Sequence, residues 1–243
     1  MTQPTACALI IGNEILSGKT QDTNLQFLGS ELAKLGIRLA EGRVVRDEPD
    51  IIVRHVNECR KTFTYVFTTG GIGPTHDDIT TECIARAFGV PLVLNEQIVE
   101  MMKRSGRPLN EARLKMARIP QGAELVENTV SLPGFRIENV FVFAGIPGIA
   151  RAMFAGAVSM LLTGTPILSA SVDAYLREGD FAEALEKLQQ RHPDIEIGSY
   201  PFNRDGKLGA ALVARGTDRA LLGNVMNEIV AIITSLGGEA KLN

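Results

Sequence analysis

The sequence predicts an α/β protein in two parts. A three-layer α/β/α domain on a mostly parallel sheet is expected over residues 1–165, and a small α+β domain of order βαββαβ over residues 166–243. Three observations carry this. Apolar runs of strand length alternate with segments of helical period through the first two thirds of the chain. Several runs end abruptly at glycine, as strands feeding a loop and then a helix do. Near Thr163-Gly164-Thr165-Pro166 the pattern changes, and two strands follow one another with only a turn between them.

Residues 6–11 form a nearly unbroken apolar run, as a parallel strand covered on both faces requires. The run exits through Gly12-Asn13-Glu14-Ile15-Leu16-Ser17-Gly18. Asp22-Thr23-Asn24 offers caps for a helix with Leu25, Leu28, Leu32 and Leu35 on one face and Gly36 as its stop. Residues 37–45 read as the second strand. Pro49 in the first turn, with Asp47 and Asp50 as a reciprocal cap, starts a helix to about residue 60. The third strand, 65–69, stops at Gly70-Gly71-Ile72-Gly73-Pro74, and a helix opens after Asp77-Asp78 and runs to Phe88. Residues 91–94 read as a short extended piece, and 96–103 and 110–117 as helices. Residues 120–135 have no clear period and read as an irregular crossover or flap. Residues 136–143 read as one strand, leaving through Ala144-Gly145-Ile146-Pro147-Gly148 into a helix over 149–162.

The second domain reads strand 167–174, helix 181–191, strands 195–200 and 207–215, helix 219–236 and strand 239–242. Asn203-Arg204-Asp205-Gly206 supplies a hairpin turn and Asp218 a helix cap, with no convergent polar cluster visible.

Composition excludes several function classes. With 243 residues and 45% hydrophobic content the chain can fill a substantial core. A net charge of −3 and the lack of any dense lysine-arginine block argue against nucleic acid or an anionic membrane as partner. Cys7, Cys59 and Cys83 are far apart in sequence with no C-x-x-C spacing, which suits reduced core residues of a cytoplasmic protein. The amino terminus carries no basic region before an apolar run, and no stretch approaches membrane-spanning length.

The chemistry concentrates in V-F-T-T-G-G-I-G-P-T-H-D-D-I-T-T-E, residues 66–82. Glycines lacking Cβ let backbone N–H groups approach a phosphate, and a following helix adds about half a positive charge at its amino end. Adjacent carboxylates at that mouth oppose an anion, so Asp77 and Asp78 make sense holding a divalent cation or positioning a nucleophile. The structural alternative is that Asp78 or Thr80 caps the helix and that Gly70, Gly71 and Gly73 make a tight turn. Gly145 and Pro147 equally fit ordinary turn chemistry, and His76 fits a solvated loop residue or a ligand of metal or phosphate. The spacing is neither that of a P-loop nor that of a Rossmann fingerprint. In parallel sheets ligands sit outside the strands' carboxyl ends, which gathers the 12–18 loop, Asp47 and the 70–78 loop onto one edge.

Taken together, T-T-G-G-I-G-P-T-H-D-D-I-T from Thr68, G-N-E-I-L-S-G from Gly12 with D-T-N from Asp22, and A-G-I-P from Ala144 resemble the molybdopterin-binding domain family. That family includes MoaB, Mog and domains of gephyrin and MoeA, and the likeness is strongest to the amino-terminal part of the competence/damage-inducible CinA proteins. It covers about residues 5–165, with a weaker likeness of 166–243 to the small domain that follows in CinA-like chains. The deamidating domain found further on in CinA lies outside it, and its activity is not expected. Asp78 and Asp47 fall on the family's aspartate pair, Gly70, Gly71 and Gly73 on its phosphate loop, and Glu14 on its acidic position, with Asn13 where many members carry aspartate. Ala144 stands where P-G-x-P is common, which predicts a looser turn.

The resemblance implies a dinucleotide pyrophosphatase acting on a substrate such as ADP-ribose with a divalent metal (Mg, Mn or Co). Asp78, with Asp77 or Asp47, would hold the metal, and Glu14 or Asp47 would orient the water. Thr69, Gly70, Gly71 and Gly73 would bind phosphate, and Gly12, Asn13, Gly145 and Pro147 would complete the pocket for a nucleotide or pterin. Molybdopterin adenylylation, or a non-catalytic nucleotide- or pterin-binding module, would use the same pocket. A homo-oligomer, dimer or trimer, is implied as well.

Overall fold

The computed structural model describes residues 3–204 and 206–242, so Asp205 of the expected hairpin turn lies outside the described residues, as do Met1, Thr2 and Asn243. The chain divides into two compact units, the first ending at Gly164 and the second beginning at Thr165.

The first unit runs β1 (Thr5–Ile11), α1 (Asn13–Leu16), α2 (Asn24–Lys34), β2 (Arg38–Val45), α3 (Pro49–Thr62), β3 (Tyr65–Thr69) and α4 (Thr80–Phe88). It continues through β4 (Leu92–Leu94), α5 (Glu96–Arg104), α6 (Glu111–Lys115), β5 (Arg118–Pro120), β6 (Glu124–Val126), β7 (Gly134–Ile137), β8 (Val140–Phe143) and α7 (Pro147–Ala157). Its main sheet has the order β2-β1-β3-β8-β7-β6. The first four strands are parallel, and register places Val45 beside Ile11, Ile10 beside Thr69, and Thr69 beside Phe143. Their carboxyl ends therefore share one edge.

Both faces of the inner strands are covered, which is why β1 and β8 read as continuous apolar runs, while the edge strand β2 alternates. Cys7, Leu9, Ile11, Val66, Val140 and Val142 pack toward α3, α4 and α5. Ala6, Ala8, Ile10, Phe67, Phe141 and Phe143 pack toward α2 and α7. Phe67 and Phe141 stack at 5.1 Å between ring centres. All three cysteines are buried, but two are not apart in space: the Cys7 and Cys59 sulfurs lie 3.4 Å from each other. Their hydrogen bond, with burial, pushes the Cys7 thiol up from its ordinary value.

Several local expectations are corrected. Residues 136–143 are not one strand but the end of β7 and all of β8, an antiparallel hairpin turning at Glu138-Asn139. Glu138 takes the left-handed φ of 49°, and the Asn139 side chain fixes the turn by donating to the carbonyls of Arg60 and Phe63 at 2.9 and 3.0 Å. The 120–135 stretch is not wholly irregular, since it contains β6 at the sheet edge and the first residues of β7, and begins on the last residue of β5, which pairs with β4. The 12–18 loop carries the helical turn α1.

In the second unit β9 (Leu168–Ala174), α8 (Glu178–Arg191), β10 (Glu196–Arg204), β11 (Lys207–Gly216), α9 (Arg219–Ser235) and β12 (Ala240–Leu242) form the βαββαβ order. Its sheet is antiparallel, β10-β11-β9-β12, and Asp218 caps α9 by accepting from Ala220 and Leu221 N–H. Among its described residues Asp173 is buried and paired with Arg204. Among the described residues no helix is long and apolar enough to cross a membrane.

Candidate functional site

At the carboxyl edge each strand exit is tied to its neighbour. Gly12 N–H donates to Val45 O at 3.1 Å, and Gly70 N–H to Phe143 O at 3.1 Å. Asn13 N–H donates to the Asp47 carboxylate at 2.7 Å, so Asp47 fastens the first loop to the start of α3 and does not form the expected cap with Asp50. Asp50 instead pairs with Arg86 on α4 at 2.8 Å.

The glycine turn is held by geometry that side chains would break. Gly70 and Gly71 take φ of 104° and 67°, and a Cβ on them would strike Ile11 O and Thr80 Oγ1 respectively. Left-handed backbone and close approach together make glycine the residue that fits. Beyond it, the Gly71, Ile72 and Gly73 N–H groups donate to no backbone or side-chain acceptor among the described residues. Thr80 N–H closes the turn onto Gly71 O at 2.9 Å.

Asp78 is half-buried, and its Oδ2 accepts both the Thr75 N–H at 2.9 Å and the Thr75 hydroxyl. Neither Asp78 nor Thr80 caps α4, whose N-cap is Ile79. Asp78 closes the 75–78 turn with one oxygen, and Oδ1 takes part in none of its hydrogen bonds. Asp77 and His76 are solvated, with side chains 66% and 98% exposed.

The expected residues share one edge but line two clefts. Glu14, Thr69, Gly145 and Pro147 line the first, with Asn24 and the Thr20–Thr23 segment. Gly73 and Asp78 line the second, with Ile72, Glu82, Lys115 and Arg118. The first reaches Thr69 and the second Ile72, so Gly70-Gly71 lies between them. Asp47, Asp77, Gly12 and Asn13 line neither.

Asn24, Glu82, Lys115 and Arg118 were not anticipated as site residues. Asn24 had a signal in the D-T-N motif: it is 4% exposed and its Nδ2 donates to Gly145 O at 2.9 Å. That bond, and one from Ala144 N–H to Met153 Sδ at 3.3 Å, tether the A-G-I-P turn, so the loss of a proline at 144 is offset by a donor that proline lacks. Buried polar atoms nearly always have partners. Among the described residues the side-chain oxygens of Asn24 (Oδ1), Thr68, Thr69 and Thr80 have none, and all four residues belong to this edge.

No three His, Cys, Asp or Glu side chains converge into a metal cage among the described residues. Carboxylate oxygen from Asp78 and Glu82 fits a hard divalent cation that completes its shell with phosphate oxygens and water. Burial first and the neighbouring Glu82 next push the Cys83 thiol of α4 up to about 11.

The family described as "Probable molybdopterin binding domain" matches residues 7–164, and that described as "FAD synthase, middle domain" matches 166–236. A protein of Archaeoglobus fulgidus is 34% identical over 192 residues, 79% of this chain and 83% of its own. A CinA-like protein of Gloeobacter violaceus is 30% identical over 252 residues, covering 97% of this chain and 58% of that relative. The crystal structure of CinA from Thermoplasma acidophilum superposes with a TM-score of 0.62 at 32% identity, over 66% of this chain and 99% of that one. The motifs and these matches converge: the chain belongs to the molybdopterin-binding domain family of MoaB and Mog, close to CinA.

Proposed function

We propose that the first unit binds a phosphorylated nucleotide along the carboxyl edge and hydrolyses a dinucleotide pyrophosphate such as ADP-ribose, with a divalent metal (Mg, Mn or Co). The observation that carries this is the Gly70-Gly71 turn, after which the consecutive N–H groups of Gly71, Ile72 and Gly73 have no acceptor among the described residues, the last two at the second cleft. Free N–H groups in series are a phosphate cradle. They stabilise the charge that gathers on the phosphate oxygens as water attacks. Asp78 and Glu82 would hold the metal, which when bound neutralises phosphate charge and polarises the scissile bond. Asp77, solvated at the tip, adds to the negative field there. Glu14 orients the attacking water and takes its proton. Asp47 acts on this water indirectly, by fixing the loop that carries Glu14. One P–O bond of the anhydride breaks as one forms to the water oxygen, giving AMP and ribose 5-phosphate. Thr69 and Asn24, whose buried side-chain oxygens have no partner among the described residues, line the first cleft, where the ring would sit.

Incubation with ADP-ribose and each metal tests this by AMP release that disappears in Asp78→Asn. Family membership favours a second reading, a pterin-type ligand held without turnover. Saturable pterin binding with no AMP from any dinucleotide or metal decides for it.

A further inference from the structure

Two cations in the second cleft have no role in the scheme above. Lys115 ends α6 and Arg118 begins β5, and both line the cleft together with Gly73 and Asp78. Lys115 is half-buried and Arg118 exposed. Two carboxylates, Asp78 and Glu82, line the same cleft, yet the Lys115 ammonium is bound to a neutral group, donating to Thr75 O at 2.9 Å. That contact uses one of an ammonium's three donors. It also reaches the turn that positions Asp78, because Thr75 is the residue whose N–H and hydroxyl grip the Asp78 carboxylate.

The two cations of the cleft fit a ligand with two phosphoryl groups. Asp78 and Glu82 against Lys115 and Arg118 leave it formally neutral. A pyrophosphate diester brings two negative charges, one on each phosphoryl group, so each cation can meet one group while a divalent cation returns the total to zero; a monophosphate can match that total but not that spacing. A nucleoside brings no charge, and a monophosphate has no second phosphoryl group to meet the second cation. Lysine and arginine serve such a ligand differently, lysine as a movable point charge and arginine as a planar fork for two oxygens.

We infer that Lys115 and Arg118 form a clamp on the ligand's diphosphate, with Lys115 moving from Thr75 O to a phosphate oxygen, and that this clamp selects diphosphates over monophosphates and nucleosides. The clamp rests on reading the glycine turn as a phosphate cradle, but not on hydrolysis. Calorimetric titration of the full chain with inorganic pyrophosphate, and separately with inorganic phosphate, in magnesium buffer tests it. Wild type binds pyrophosphate more tightly than phosphate. Lys115→Met and Arg118→Met each weaken pyrophosphate binding about 10- to 100-fold, the loss of one charge-assisted hydrogen bond. Lys115→Arg recovers most of that loss.

Wild-type protein that fails to bind pyrophosphate, or Met variants that bind it unchanged, overturns the clamp. Should Lys115→Met melt early through loss of the Thr75 contact, Arg118→Met decides alone. AMP release from ADP-ribose with unaltered KM in both Met variants removes the clamp and leaves the hydrolase standing. Pyrophosphate binding that depends on Lys115, with no dinucleotide cleaved under any metal, keeps the clamp and removes the hydrolase.

Discussion

Asp47 separates a positioning role from a chemical one, and two substitutions do the work. Its carboxylate accepts the Asn13 N–H at 2.7 Å, a charge-assisted bond across 34 residues of chain. Such a bond contributes about 1.5–3 kcal/mol when one partner is ionised and about 1 kcal/mol when both are neutral. Asp47→Asn keeps an oxygen in place, so it costs roughly 1 kcal/mol and lowers the melting temperature of this unit by about 2–4 °C. Asp47→Ala removes the acceptor entirely, costs about 1.5–3 kcal/mol and frees the loop bearing Glu14. Misplacement of a catalytic group by about 1 Å costs on the order of a hundredfold in rate. AMP release measured beside scanning calorimetry should therefore show Asp47→Asn within a few-fold of wild type and Asp47→Ala far below it. Asp47→Asn as inactive as Asp78→Asn, with melting unchanged, refutes the latch and returns Asp47 to direct chemistry.

Gly71→Ala forces a left-handed alanine and displaces the Thr80 hydroxyl, whereas Gly106, at φ 69° with open space around it, pays only the backbone term of about 1–2 kcal/mol; chemical denaturation should show the first variant clearly less stable than the second. The Cys83 thiol, lifted to about 11 by burial and then by Glu82, binds its proton more tightly folded than unfolded. Its contribution to stability is complete below about pH 9, the ordinary thiol value, and is lost as pH rises toward 11. Cys83→Ala should flatten the loss of stability across that window, and an unchanged pH profile counts against the assignment.

The parallel core was legible because burial on both faces writes itself as apolar runs, and residues 6–11 contain nothing else, while 65–69 add two threonines to a β-branched and aromatic start. The glycine turn was legible for a related reason, since positive φ and close approach both demand the same residue. The hairpin at Glu138-Asn139 escaped because its turn uses no glycine and is fixed by Asn139 reaching carbonyls nearly eighty positions away. Lys115 and Arg118 escaped because a lone cation on a polar segment looks like any solvated one until the fold brings it against Asp78. Asp47 was assigned to the right edge with the wrong partner, because local spacing proposed a cap where Asn13, distant along the chain, offered the better donor.

The cysteines have a practical consequence. All three belong to the first unit, all are buried, and none lies in the second. A chromogenic thiol reagent mixed with the native chain can react only with molecules whose first unit has opened, since enclosed sulfur is inert to it. The rate of colour release then reports the opening of that unit alone, with no label attached. Adding a tight ligand of the carboxyl edge should slow the colour in proportion to its occupancy.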